Sequence, residues 1–177
     1  MEDNRILAAL ALALVDRPRA NLQELAGAIG LSKATLYRFC RTREQLIERL
    51  VDHSTTLIGE DIQASGLDTA QPLEALKRLI ASTLEHGAFT AFLVYYWKKD
   101  SSVESGLEAG WDAALDAFFL RGQREGVFRI DIAAAALTEI LVAMLNGLVD
   151  AERRGRVART GLASLVEHAF LHGASTR

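Results

Sequence analysis

Between Lys33 and Arg43 the chain sets four cations, Lys33, Arg38, Arg41 and Arg43, in eleven positions with no acid among them. Tyr37 and Phe39 are threaded between them, and Ser32, Thr35 and Thr42 add hydroxyls. Cations and hydroxyls at that density suit a polyanion, because they hydrogen-bond phosphate oxygens and displace counterions. A solvated basic helix face is the plainer account of any one of these residues. The choice depends on what holds them together.

The rest of the chain sharpens the contrast. Residues 1–50 carry eight Lys/Arg and six Asp/Glu, net +2, while the remainder carries twelve and seventeen, net −5. A basic head on an acidic body places any contact with a polyanion at the head. The 177 residues are 50% hydrophobic and 24% charged, an ordinary globular balance. Two prolines and abundant Ala, Leu and Glu favour helix. The longest apolar run, Ile6 to Val15, is too short to span a bilayer. The acidic "MEDNR" before it and the lack of a small-x-small site after it argue against a secretory signal. A cytoplasmic protein without membrane contact is the expectation. The lone Cys40 excludes an intramolecular disulfide or a CxxC metal site and reads as a small buried apolar residue.

The elements that must position the basic residues are legible as helices. "RILAALALALV" predicts a helix from about Asn4 to Asp16, stopped by Pro18. Asn21 with Glu24 reads as a capping box opening "LQELAGAI", and Gly30 stands where a left-handed C-cap residue belongs. Ser32 caps "KATLYRF", and Thr42 with Gln45 repeats the capping-box pattern before a helix from about Arg43 to Ala64. Two short helices separated by Gly30 and Leu31 form a helix-turn-helix pattern, with Leu25, Ala26, Ile29, Leu31 and Leu36 available to pack them. Ser32, Lys33, Ala34 and Thr35 then stand at the start of the second helix, where base edges or phosphates come within reach. Thr35 suits a base edge or a thymine methyl. Tyr37 points away from Leu36, so its hydroxyl can reach phosphate. Arg43 in a helix's first turn is poorly placed for a cation unless a phosphate compensates.

"LQELAGAIGLSKATLYRFCRTREQLI" resembles the DNA-binding motif of the TetR/AcrR family of bacterial transcriptional regulators. The resemblance is specific over about Ile6 to Leu50. It implies an all-α chain: an N-terminal three-helix helix-turn-helix domain over 1–48, joined to a helical effector-binding and dimerisation bundle over 49–177. It implies double-stranded DNA as partner, with Ser32, Lys33, Thr35, Tyr37 and Arg38 on or beside the recognition helix. Ala34 lies in the same first turn. Thr42 and Arg43 would hold phosphate at the start of the fourth helix, and Asn21 at the start of the second. Two departures stand out: Phe39-Cys40 replaces the usual histidine and aromatic, and the N-terminal arm is short and acidic.

The body offers fewer signals. "SGLDTAQ" reads as a linker, and Pro72 opens a helix with a stripe of Leu73, Leu76, Leu79, Ile80 and Leu84. Gly87 interrupts it, and "AFTAFLVYYW" runs on to Lys98. Further helices are expected from about Val103 to Arg124, Ile132 to Ala151 and Arg159 to His172. The last two are apolar over so much of their surface that they fit a homodimer interface or an ordinary monomer core. Phe89, Phe92, Tyr95, Tyr96, Trp97 and Trp111, with His53 and His86 as polar groups, could line a pocket for a largely apolar effector. The same aromatics would serve as plain core.

No spacing suggests a metal site, and no cofactor is implied. No Gly-rich phosphate loop, GxSxG or HExxH supports an enzyme. Two functional readings stand: a homodimeric, ligand-responsive repressor on a palindromic operator, or a helical small-molecule binding protein without DNA contacts.

Overall fold

A computed structural model describes residues 2–97 and 106–174 and is helical throughout its ordered elements. The elements are α1 (Glu2–Asp16), α2 (Leu22–Ala28), α3 (Lys33–Phe39), α4 (Arg43–Ser65), α5 (Pro72–Glu85), α6 (Gly87–Trp97), α7 (Gly106–Arg124), α8 (Ala134–Arg153) and α9 (Leu162–Ala174). The expected beginning of α7 near Val103 and the end of α6 at Lys98 fall outside the described residues, as does the side chain of Trp97.

The local chemistry sets the helix ends. Asn21 Oδ1 accepts the backbone N–H groups of Gln23 and Glu24, each at 3.0 Å, and Glu24 Oε2 accepts the Asn21 N–H at 2.7 Å. α2 closes as Leu31 N–H reaches back to Ala26 O at 2.8 Å and Gly30 N–H to Gly27 O at 3.2 Å. That closure needs a left-handed residue, and Gly30 supplies it at φ +69°. At the start of α4 the expected box is shifted by one residue. Thr42 Oγ1 accepts from Gln45 N–H, but the Gln45 side chain reaches Arg41 N–H at 3.0 Å rather than Thr42 N–H.

Two hydrophobic clusters organise the chain. The first joins Leu10 and Leu14 of α1, Leu25 of α2, Leu36 of α3 and Leu46 and Leu50 of α4. It also takes Phe89, Phe92 and Leu93 from α6, far away in sequence. The second joins α5, α7, α8 and α9 around Leu76, Phe118, Phe119, Phe128, Leu141 and Phe170. Gly122 belongs to this packing: a Cβ there would lie 2.3 Å from the Phe128 ring, which is fully buried and cannot yield. The boundary expected at 48/49 falls inside the continuous helix α4.

α8 is long and apolar enough to cross a bilayer by length and composition. It packs instead against α5, α6, α7 and α9, burying Leu137, Leu141, Leu145 and Val149. Its Ile140 stays exposed, as do Leu165 and Ala169 on α9. The apolar circumference read from the sequence is therefore divided between an inner face and an outer one.

Candidate nucleic-acid interface and ligand cavity

The basic segment forms a helix with one inner and one outer side. Leu36 and Phe39 are buried under α3, while Lys33, Ala34, Tyr37 and Arg38 face solvent, Tyr37 at 47% exposure. Ser32 caps the helix: its Oγ accepts from Thr35 N–H at 3.1 Å and lies 2.8 Å from Thr35 Oγ1. The two hydroxyls therefore hold each other, and Thr35 is half-buried. Asn21 and Thr42 are exposed caps of α2 and α4.

Arg43 has a structural partner. Its Nη2 donates to Pro18 O at 2.8 Å, fastening the α1–α2 turn to the start of α4. That bond accounts for a cation in a first helical turn without a phosphate. Arg49 works similarly: its guanidinium stacks 5.0 Å from the Phe39 ring centroid and donates to Phe39 O at 3.0 Å. Phe39 and Cys40 are both buried, so the unusual pair still packs beneath the helix. Burial pushes the Cys40 thiol up, against a smaller opposing pull from Arg49.

The expected effector residues do not gather at one place. Phe89 and Phe92 belong to the head's core, and Tyr96 packs beside them, its ring 5.3 Å from Phe92. His53 lies edge-on to Phe89 and hydrogen-bonds Asn4 Oδ1 through Nε2 at 2.7 Å. Burial holds its pKa below the usual imidazole value, with the nearby Arg49 charge adding to the effect. His86, at the break between α5 and α6, donates Nδ1 to the buried Asp61 Oδ2 at 2.7 Å. Tyr95 lines a separate groove between α6 and α8.

Among the described residues only Trp111 of the expected set lines the apolar cavity inside the body, a space of about 120 Å³. Its walls come from α4, α5, α6, α7 and α8, including Ile58, Leu79, Leu93, Leu115 and Leu141. Four polar side chains interrupt the apolar lining: Thr83, Thr90, Asp112 and Asn146. Thr90 is buried and its Oγ1 has no hydrogen-bond partner among the described residues. A buried hydroxyl without a partner carries a desolvation cost, and a ligand that bonds to it removes that cost.

No family model matches the chain. Among solved structures, the TetR family transcriptional regulator PfmR from Thermus thermophilus superposes with a TM-score of 0.70 at 24% identity, over 95% of this chain and 97% of that one. The TetR-like regulator LfrR from Mycobacterium smegmatis, in complex with proflavine, gives 0.65 at 24% identity, over 99% and 98%. The HTH-type transcriptional regulator NfxB of Pseudomonas aeruginosa is 53% identical over 176 residues, 98% of this chain and 94% of the relative. The chain belongs to the TetR/AcrR family of helix-turn-helix transcriptional regulators. The HTH-type transcriptional repressor LfrR of Mycolicibacterium smegmatis is 33% identical over 91 residues, 51% of this chain and 48% of that one.

Within this family member, the cavity residues Thr83, Thr90, Asp112 and Asn146 escaped the sequence reading. The aromatics singled out on α6, Phe89 and Phe92, face the head's core rather than this cavity. The usable signal was a polar residue inside an apolar helix: Thr90 within "AFTAFLVYY" and Asn146 within "LVAMLNGLV". Such a residue needs a partner for its polar group.

Proposed function

We propose that this regulator grips operator DNA through the outer side of α3 and represses transcription as a homodimer. Residues 1–48 would form the DNA-reading unit and 49–177 the effector-binding and dimerisation unit. Lys33, Ala34, Tyr37 and Arg38 meet the duplex, and Ser32, Thr42 and Asn21 contribute exposed polar caps. Thr35 contributes its methyl, because its hydroxyl is held by Ser32. Arg43 acts first as a fastener of the α1–α2 turn. The observation that carries this reading is the sidedness of α3: Lys33, Tyr37 and Arg38 are exposed while Leu36 and Phe39 are buried.

The effector would enter the cavity beside Trp111, with Thr90, Asn146 and Asp112 as its polar contacts. Among the described residues no Lys or Arg lines that cavity, and Asp112 supplies one carboxylate. A small apolar body with a neutral or cationic polar group fits this lining. LfrR's complex with proflavine, a planar aromatic cation, is consistent with it. α6 carries Phe89 and Phe92 into the head's core and Thr90 and Val94 into the cavity wall. Ligand in the cavity thus shifts the population of DNA-competent heads through α6.

Ile140 on α8 with Leu165 and Ala169 on α9 would meet a second copy, matching the expected pairing through the last two helices. Two recognition helices would then enter successive major grooves about 34–36 Å apart. Selection of bound sequences from a random duplex pool tests this directly. Enrichment of an inverted repeat with half-sites about one helical turn apart is expected. Enrichment of single half-sites, or of nothing, would overturn the dimeric reading or the DNA reading respectively.

A further inference from the structure

Behind the cavity's wall lies a second, larger space. It is a groove of about 710 Å³ between α1, α6 and α8, bounded by Val15, Ala91, Tyr95, Glu139, Asp150 and Arg153. The groove and the inner cavity share four residues: Thr90, Val94, Val142 and Asn146. Thr90 therefore stands on the partition, 93% buried on its 7% exposure, with Oγ1 lacking a partner. That hydroxyl can bond a group lying on either side.

The charges of the groove are asymmetric. Glu139 is exposed at its rim and makes no hydrogen bond or ion pair among the described residues. Arg153 is the only cation lining the groove among the described residues, and it is already committed. Its Nη2 donates to Asp150 Oδ1 at 2.7 Å, and its Nη1 crosses to Asp16 on α1. Asp150 also takes Arg154 Nε at 2.8 Å. The Arg153–Asp16 pair ties the body's helix α8 to the first helix of the head, at the end of the groove.

We infer that the groove is the outer compartment of the effector site, that it takes the positively charged end of an amphipathic organic cation, and that the Arg153–Asp16 bridge reports its occupancy to the head. The proposal rests on the ligand cavity described above. The apolar part of the ligand lies against Val94 and Val142, and its ammonium group lies at Glu139. A cation in the groove repels Arg153 and competes with it for Asp150 and Asp16. The bridge weakens, and α1 is freed relative to α8. A chain that lacks the bridge therefore transmits less of the cation's effect to DNA.

The test uses two probes of similar length, octylammonium and 1-octanol, titrated against the full chain by calorimetry and by operator binding. Octylammonium is expected to bind about five-fold more tightly than octanol, the scale of one partly exposed ion pair. Glu139→Gln should erase that preference and leave octanol unchanged. Asp16→Asn should shrink the effect of octylammonium on operator affinity. Equal affinity for the two probes, or a loss from Glu139→Gln that affects both alike, would overturn the groove assignment but leave the inner cavity standing. Full coupling to DNA in Asp16→Asn would overturn the role of the bridge. Binding of neither probe, with operator binding intact, would remove the ligand cavity as well.

Discussion

Arg43 shows how a residue's neighbours decide its role. From sequence it reads as a phosphate ligand, because a cation in a first helical turn opposes the helix dipole. In the structure it donates to Pro18 O, a partner 25 residues away that no local pattern reveals. Arg43→Ala is expected to cost about 1–2 kcal/mol of stability, the scale of one charge-assisted hydrogen bond. Chemical denaturation measures that loss, and an unchanged midpoint would return Arg43 to a purely phosphate-binding role. His53 gives a pH dependence of definite sign. Its folded pKa lies below that of a free imidazole, so folding favours the neutral ring. Its contribution is complete above the unfolded value of about 6.5 and is lost as pH falls from there through the folded value. His53→Gln should flatten the stability profile over that acidic window; an identical slope in the two proteins would contradict it.

At the scale of elements, α2, α3 and the start of α4 were legible because their signals are local. Asn21, Gly30, Ser32 and Thr42 each act within a few residues, and the structure places each as the spacing suggests. The shift of the Gln45 bond from Thr42 to Arg41 is a one-residue adjustment of such a local signal. α6 was not legible in the same way. Its aromatic side and its cavity side are set by two different packing partners, and its apolar residues surround the helix without a clear stripe. The result is that Phe89 and Phe92 complete a core begun by residues 7–50. Phe92→Ala is expected to cost about 3–5 kcal/mol, and a fragment ending at Ser65 should fail to fold cooperatively. Thermal melting followed by circular dichroism checks both; a sharp transition in the fragment would show that the head does not depend on α6.

At the scale of the whole molecule, the proposal gives the acidic body and the basic head separate roles. The body's outer apolar face on α8 and α9 is expected to join two copies, and Ile140→Glu with Leu165→Glu should convert the protein to monomers in sedimentation. A double variant that still sediments as a dimer would move the interface elsewhere. The outer side of α3 carries Lys33 and Arg38, both exposed and free of any ion pair among the described residues. Contact with DNA through that side must release counterions, so affinity must fall with salt.

The central claim is that the outer side of α3 holds DNA. Fluorescence anisotropy of a selected operator across a salt series, with Lys33→Ala and Arg38→Ala beside the unaltered chain, tests it most directly. The account predicts a linear fall of log affinity with log salt, and a slope shallower by about one for each variant. Operator binding whose slope is the same in all three proteins would contradict it, and would place the DNA on another surface of the head.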